Sequence, residues 1–169
     1  MGKVVLNGSM NKLLILALAT TFALAACGTP KVKPADEGIP SAANADENSL
    51  GDSDSGKAMG LQTVHFAYDS YTLDADGKTQ LKANAQILKD KPSIKIQIEG
   101  HCDTHGGIQY NLALGEKRAN AVKKFLIDLG VKDERISVIS FGKEKLLDSG
   151  AGDAADAKNR RGTFVITAR

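Results

Sequence analysis

The sequence contains no tryptophan, and only 5% of its 169 residues are aromatic. A chain with so few aromatic rings provides little of the stacking surface on which proteins hold single-stranded nucleic acid. No charge of one sign dominates, because 22 Lys and Arg residues are opposed by 20 Asp and Glu residues. A nearly balanced charge does not create the basic surface that attracts nucleic-acid phosphates. We therefore expect no nucleic-acid partner.

Cysteine is also scarce, with two residues, Cys27 and Cys102. Cys27 ends the stretch MNKLLILALATTFALAAC, in which a basic start at Lys12 precedes an apolar run over residues 13–23 and then small residues. This layout is typical of a secretory signal, and the apolar run is short for a membrane span. The residues before Cys27 resemble the lipobox of bacterial lipoproteins. That resemblance implies a signal peptide over residues 1–26 and acylation of Cys27, including palmitate.

The residues after Cys27 differ in composition from the rest of the chain. Gly28 stands where the lipobox resemblance implies that an aspartate would retain a lipoprotein at the inner membrane, so its presence favours the outer membrane. The following stretch is rich in Gly, Pro, Ser, Ala and Asp and cannot bury enough apolar surface to fold. We predict a lipidated cysteine and flexible tether over residues 27–57 and a folded domain over residues 58–169. If Cys27 carries lipid, Cys102 has no intramolecular disulfide partner.

The hydrophobic pattern of the predicted domain alternates between strands and helices. SIKIQIEG alternates strictly, with Ile94, Ile96 and Ile98 on one parity, which indicates a strand with one buried face. Helical spacing of apolar residues follows Thr72 and again follows Asn111, each of which is a favoured N-cap type. Further strands are predicted over residues 61–70, 135–142 and 161–169, with a short helix over 153–160. The order β-α-β-α-β-(α)-β predicts an α/β sandwich, of α+β type, with one mixed sheet and two main helices on one face.

The stretch EGHCDTHGG contains four residues of metal-ligand type, His101, Cys102, Asp103 and His105. If the preceding strand continues, Cys102 points into the core, whereas His101 and Asp103 point to the opposite side, so one ion does not easily reach all of them. A buried free cysteine is usually inert, which counts against a catalytic thiol. We predict no metal, no cofactor and no enzymatic activity. A periplasmic metal-binding protein that uses these four residues remains an alternative.

Arg118 lies in the middle of the apolar stripe of the second predicted helix, four residues from both Leu114 and Val122. An arginine keeps its charge, so one that points inward needs an anionic partner. Spacing alone leaves two interpretations open. One is a structural ion pair with Asp103, and the other is a site in which Asp103 and Arg118 bind a ligand that carries both an amine and a carboxylate.

Residues 61–167 resemble the OmpA-like peptidoglycan-binding domain family. The resemblance rests on the stretch IEGHCDTHGGIQYNLALGEKRANAVKKFL and on the later SFGKEK and KNRR. Together with the lipobox and tether, it extends to the peptidoglycan-associated lipoproteins. It implies an OmpA-like fold and non-covalent binding of peptidoglycan through the meso-diaminopimelate of its stem peptide, a residue whose side chain has an amino group and a carboxylate.

The resemblance also implies which residues bind this ligand, with Asp103 and Arg118 as the central pair. The other expected contacts are Tyr68, Asp69, Tyr71, Thr104, His105 and Leu114, and the expected supporting residues are His101, Asn111, Arg160 and Arg161. Backbone N–H groups at the start of the first helix are expected to receive a ligand carboxylate. His105 stands where the family often has an arginine, and it brings less charge because histidine is usually neutral near pH 7.

The expected function is a non-catalytic tether between the outer membrane and the cell wall, with a role in envelope integrity and cell division. The resemblance implies a lipid anchor in the outer membrane, a domain that faces the periplasm, and TolB and other Tol proteins as partners. The alternative is an OmpA-like lipoprotein of another envelope machine, in which the domain is the same and the partner differs.

Overall fold

The computed structural model describes residues 50–169, so the predicted signal peptide, Cys27 and most of the predicted tether lie outside the described residues. The strands are β1 (Val64–His65), β2 (Lys95–His101), β3 (Ile136–Gly142) and β4 (Arg161–Ala168), and the helices are α1 (Ala75–Asp90), α2 (Ile108–Asp128) and α3 (Asp153–Asn159), with a 3-10 turn at Asp133–Arg135. Within the described residues the strands form one sheet in the order β1-β4-β2-β3. Strands β2 and β3 are parallel and the other pairs are antiparallel. This mixed sheet confirms the predicted fold class.

The core confirms the predicted alternation in β2. Ile94, Ile96 and Ile98 are buried, and they belong to a cluster that joins one face of the sheet to α1 and α2. The other large fully buried members are Val64, Leu81, Leu88, Val122, Leu126, Phe164 and Ile166. Each fully buried aliphatic side chain contributes about 1.5–3 kcal/mol. Both main helices are therefore held on the same face of the sheet.

Helix α1 begins after Asp74, whose carboxylate accepts a hydrogen bond from the Gly77 N–H at 2.7 Å. This is an N-cap interaction, and it replaces the cap that we predicted at Thr72. No helix among residues 50–169 has the length and apolar character needed to cross a membrane.

Two glycines bring α2 close to β2. A Cβ built on Gly100 would lie 1.9 Å from the Gly115 carbonyl oxygen, and one built on Gly115 would lie 2.3 Å from the Ser140 Oγ. Side chains do not fit at such distances, so glycine is needed at both positions. The close approach places Arg118 of α2 beside the carboxyl end of β2, which Asp103 follows.

Residues 50–57 are part of the domain, which corrects the predicted boundary at residue 58. The Leu50 N–H donates to the Ile166 carbonyl at 2.8 Å, and the Ser53 N–H donates to the Phe164 carbonyl at 2.9 Å. Strand β1 is short and pairs only with the beginning of β4, so this segment covers the part of the β4 edge that β1 leaves open. An uncovered edge would expose backbone groups that invite pairing with another chain.

Candidate ligand-binding site

A cavity of about 200 Å³ opens between the loop after β2, the loop before α1 and the first turns of α2. It is lined by Tyr68, Asp69, Asp103, His105, Gly106, Tyr110, Asn111, Leu114 and Arg118. These include most of the contacts that we predicted from the family resemblance. Tyr71 and Thr104 do not line the cavity. The Tyr71 ring instead lies beside the Lys117 Nζ, 5.7 Å from the ring centre, and the Thr104 Oγ1 donates to Asp156 at 3.4 Å.

Arg118 is fully buried at 0% exposure, as its position on the apolar stripe predicted. Its guanidinium donates to three backbone carbonyls: Nε to Ser70 at 2.8 Å, Nη1 to His101 at 2.8 Å and Nη2 to Ala67 at 3.1 Å. Burial lowers the pKa of Arg118 from its ordinary value. Of the two interpretations left open by spacing, the structural ion pair with Asp103 is not formed, because the guanidinium bonds to carbonyl oxygens and Asp103 pairs with Arg160. Arg118 thereby ties the loop before α1 and the end of β2 to α2.

Asp103 is buried in the cavity wall and has a different cation as its partner. Its Oδ2 lies 3.1 Å from the Arg160 Nη1, and its Oδ1 accepts the backbone N–H of His105 at 3.1 Å. The Arg160 Nε also donates to the Phe66 carbonyl at 3.2 Å. Arg160, one of the two arginines predicted to support the site, therefore holds the Asp103 carboxylate and lies beside the cavity.

Arg161 turns away from the cavity. Its Nε donates to the Asp54 Oδ2 at 2.8 Å, and its side chain is buried against the segment that precedes β1. Burial alone would raise the pKa of Asp54, but hydrogen bonds from Thr63, Arg161 and Thr163 lower it below the ordinary value. The predicted supporting role of Arg161 at the ligand site is thus replaced by a structural ion pair.

His101 and Asp103 do not share a site, although strand parity placed them on one side. Strand β2 ends at His101, after a register shift between Gly100 and His101 in its pairing with β3, so parity cannot be extended to Asp103. The His101 imidazole is buried, stacks on Phe141 with ring centres 5.5 Å apart and lies 3.3 Å from the Glu99 carboxylate. Burial lowers the pKa of His101. Its backbone carbonyl, rather than its ring, supports Arg118.

Cys102 points into the core, as strand parity predicted. Its side chain is buried, and the thiol donates to the Asn111 carbonyl at 3.3 Å. Burial raises the pKa of the Cys102 thiol. A metal site built from His101, Cys102, Asp103 and His105 is therefore not assembled by this fold, because two of its four members lie outside the cavity.

Asn111 closes the loop before α2 instead of capping the helix, which begins at Ile108. Its side-chain amide donates to the carbonyls of His105 at 2.6 Å and Gly107 at 3.2 Å. These bonds hold the loop that carries His105 in place. Asn111 therefore supports the site, although not as the helix cap that we predicted.

Three residues that line or adjoin the site were not predicted, namely Gly106, Tyr110 and Asp156. The Tyr110 hydroxyl donates to the Asp69 carboxylate, which joins α2 to the loop before α1. Asp156 of α3 lies with Asp103 and His105 so that one ligand-type atom from each is within 4.8 Å of the others. These atoms could surround a cationic group, and Arg160 already pairs with the Oδ2 of Asp103. Asp156 lies four residues before Arg160, and this helical spacing was the available signal.

The predicted carboxylate site at the start of α1 is not at the cavity. The helix begins at Ala75, and the Asp74 side chain already takes the Gly77 N–H. Asp69, which does line the cavity, has a positive φ of 50° in the loop before α1. Aspartate tolerates this left-handed conformation better than most residues. The loop therefore contributes side chains, not a helix N-terminus, to the cavity.

The chain is similar in sequence to known proteins. Residues 65–160 match the model of the OmpA family. A peptidoglycan-associated lipoprotein of Haemophilus influenzae is 34% identical over 158 residues, which cover 92% of this chain and 99% of the relative. Another from Legionella pneumophila is 39% identical over 118 residues, which cover 70% of this chain and 67% of the relative.

Solved structures agree with this relationship. The crystal structure of the peptidoglycan-associated lipoprotein from Burkholderia pseudomallei has 42% sequence identity and a TM-score of 0.60, covering 62% of this chain and 88% of that one. The C-terminal domain of Helicobacter pylori MotB has a TM-score of 0.61 at 22% identity, covering 65% of this chain and 87% of that one. At that identity the likeness shows a shared fold alone.

Proposed function

The chain belongs to the OmpA family and, within it, to the peptidoglycan-associated lipoproteins, and we propose that its folded domain binds peptidoglycan without catalysing a reaction. The observation that carries this proposal is one cavity lined by two acidic residues, Asp69 and Asp103, and by Arg118. Groups of both signs suit a ligand that is itself zwitterionic. The buried thiol of Cys102 does not provide a nucleophile there.

The proposed ligand group is the side chain of diaminopimelate in the stem peptide, which carries an ammonium and a carboxylate. Asp103 accepts a hydrogen bond from the ammonium, because a carboxylate in a buried wall forms strong charge-assisted hydrogen bonds with a cation. Arginine has five N–H donors, of which Arg118 uses three on backbone carbonyls and a further one on the Cys102 side chain, so one is left for the ligand carboxylate. Leu114 and the ring of Tyr68 supply apolar contact beside these charged ends.

The test is cosedimentation of the purified protein with peptidoglycan. Asp103→Asn removes a negative charge, and Arg118→Lys removes the planar guanidinium and most of its N–H donors, so each is expected to weaken binding by about tenfold or more. Asp128→Asn is a matched control for the first variant, since Asp128 forms an exposed pair with Lys124 on α2. Unchanged binding by both site variants would contradict the assignment.

Arg135→Lys is the matched control for Arg118→Lys. Arg135 also donates to three backbone carbonyls, those of Ile94, Leu88 and Lys91, but it lies outside the cavity. Both variants are expected to lower the free energy of unfolding, because buried carbonyls lose their partners. Only Arg118→Lys should reduce binding to peptidoglycan at a temperature where both proteins remain folded. Equal loss in both variants would mean that Arg118 is structural.

The proposal also covers the rest of the chain. Cys27 is acylated, its lipid anchors the protein in the outer membrane, and the domain lies in the periplasm. These assignments are supported by the lipobox-like residues and by the relatives named peptidoglycan-associated lipoproteins. Metabolic labelling with palmitate should mark the protein, and Cys27→Ser should abolish the label. Labelling that survives this substitution would contradict the anchor site.

TolB and other Tol proteins are the proposed partners. Capture of TolB from a periplasmic extract by the purified domain separates this assignment from an OmpA-like lipoprotein of another envelope machine. Failure to bind purified TolB would favour the other machine and leave the peptidoglycan site unaffected.

A further inference from the structure

The imidazole of His105 lies between two carboxylates at the mouth of the cavity. Its Nδ1 is 3.5 Å from the Asp103 Oδ1 and 3.5 Å from the Asp156 Oδ2. Both aspartate side chains are nearly buried, whereas the His105 side chain is 57% exposed. The buried groups therefore set the orientation, and the exposed ring follows them.

This geometry determines which ring nitrogen carries the proton. An unprotonated Nδ1 would turn its lone pair toward two carboxylates, which is repulsive, whereas an Nδ1–H points a donor at them. In a neutral imidazole the other nitrogen is then an acceptor. The remaining neighbours do not reverse this preference, because Arg160 pairs with the Asp103 Oδ2, the Thr104 hydroxyl donates to the Asp156 Oδ1, and Tyr68 meets the ring edge-on.

We propose that Asp156 is a positioning residue that, together with Asp103, keeps the His105 proton on Nδ1 and leaves Nε2 to accept a hydrogen bond from the ligand ammonium. This inference rests on the proposed function of the cavity. It assigns different residues to the two charged groups of the ligand: Asp103 and His105 bind the ammonium, and Arg118 binds the carboxylate. An arginine at position 105 has no acceptor, and it would pair with Asp103, which the ammonium needs, and with Asp156.

The position of the proton is measured directly by the ¹⁵N chemical shifts of the His105 ring at about pH 8, where histidine is ordinarily neutral. The unmodified protein should show a protonated Nδ1. Asp156→Ala should shift the ring toward the Nε2–H form, and Asp156→Asn should restore Nδ1–H because its amide oxygen still accepts. A protonated Nε2 in the unmodified protein overturns the proposal, whether or not the variants fold, and so does a folded Asp156→Ala that keeps Nδ1–H.

The role toward ligand is measured by calorimetry with two soluble stem tripeptides, one with diaminopimelate and one with lysine, which keeps the ammonium and lacks the carboxylate. His105→Arg should weaken binding of both peptides by about tenfold, and His105→Gln, which keeps an acceptor, should stay within about threefold. Arg118→Lys should weaken only the diaminopimelate peptide. Equal or tighter binding by His105→Arg overturns the proposal.

These measurements separate the two claims. If neither tripeptide binds and intact peptidoglycan does not cosediment, the proposed function fails, and the ligand role of His105 fails with it. If peptidoglycan cosediments and Asp103→Asn weakens it, but the His105 ring is protonated on Nε2, only the positioning role of Asp156 fails.

Discussion

Cys102 contacts Asn111 of the cavity wall through its thiol, yet it belongs to the core. It is 1% exposed, and its neighbours in the loop, Asp103 and His105, face the cavity. Thiol reactivity requires the thiolate and access to it, and burial opposes both. The residue therefore acts as a small apolar side chain that fills space between β2 and α2.

The corresponding prediction concerns thiol labelling. In a Cys27→Ser protein, Cys102 is the one remaining cysteine of the sequence. It should react with a disulfide reagent at neutral pH only as fast as the protein unfolds, because burial also raises the pKa of the thiol. Labelling rates should then rise with urea in step with unfolding. Rapid stoichiometric labelling of the folded protein would show an accessible, reactive thiol instead.

At the residue scale, periodicity predicted burial but not bonding partners. The alternation of Ile94, Ile96 and Ile98 identified β2 and the inward direction of Cys102, and helical spacing identified Arg118 as buried. Spacing does not show which backbone carbonyls another loop presents, so the partners of Arg118 were missed. The register shift at the end of β2 similarly ended the parity argument before Asp103.

At the scale of elements, the segment over residues 50–57 is held to the sheet by more than backbone pairing. Asp54 accepts hydrogen bonds from Thr63 at 2.7 Å, Thr163 at 2.9 Å and Arg161 at 2.8 Å. Arg161 is nearly fully buried, so its charge depends on this carboxylate. Removing one partner of a buried pair leaves an uncompensated charge and costs about 3–5 kcal/mol.

Asp54→Asn should therefore destabilise the domain near pH 7, by up to about 3 kcal/mol because Asp54 is partly exposed. Folding lowers the pKa of Asp54, so its stabilising contribution is present above the ordinary carboxyl pKa and is lost as the pH falls through the folded value. Urea unfolding should show the two proteins converging as the pH is lowered below about 4. A difference that stays constant over this range would contradict the role of the charge.

The boundary of this segment could not be predicted from composition. Residues 50–57 are even richer in Gly, Ser and Asp than the predicted tether before them, and they carry no alternating apolar pattern. Their attachment depends on the edge of β4 that the short β1 leaves uncovered, and on a charge partner far along the chain. Such non-local pairing leaves little trace in a single sequence, whereas the long periodic elements α1, α2 and β2 were predicted correctly.

At the scale of the whole molecule, the fold brings three distant parts of the chain to one cavity. Asp69 precedes α1, Asp103 and His105 follow β2, and Arg118 lies on α2, with Arg160 behind them at the end of α3. The family resemblance predicted most of this set, while residue spacing alone left Arg118 between a structural and a ligand role. In the proposed function, the cavity binds peptidoglycan and the acyl chains on Cys27 insert in the outer membrane.

The central claim is that the cavity itself recognises the diaminopimelate side chain. The most direct measurement is an NMR titration of the protein with a soluble stem tripeptide that contains diaminopimelate. The account predicts saturable shifts at Asp69, Asp103, His105, Tyr110 and the side chain of Arg118, with the Asp54–Arg161 region unchanged. Saturable binding with shifts confined to another surface, or no binding while intact peptidoglycan still cosediments, would contradict it.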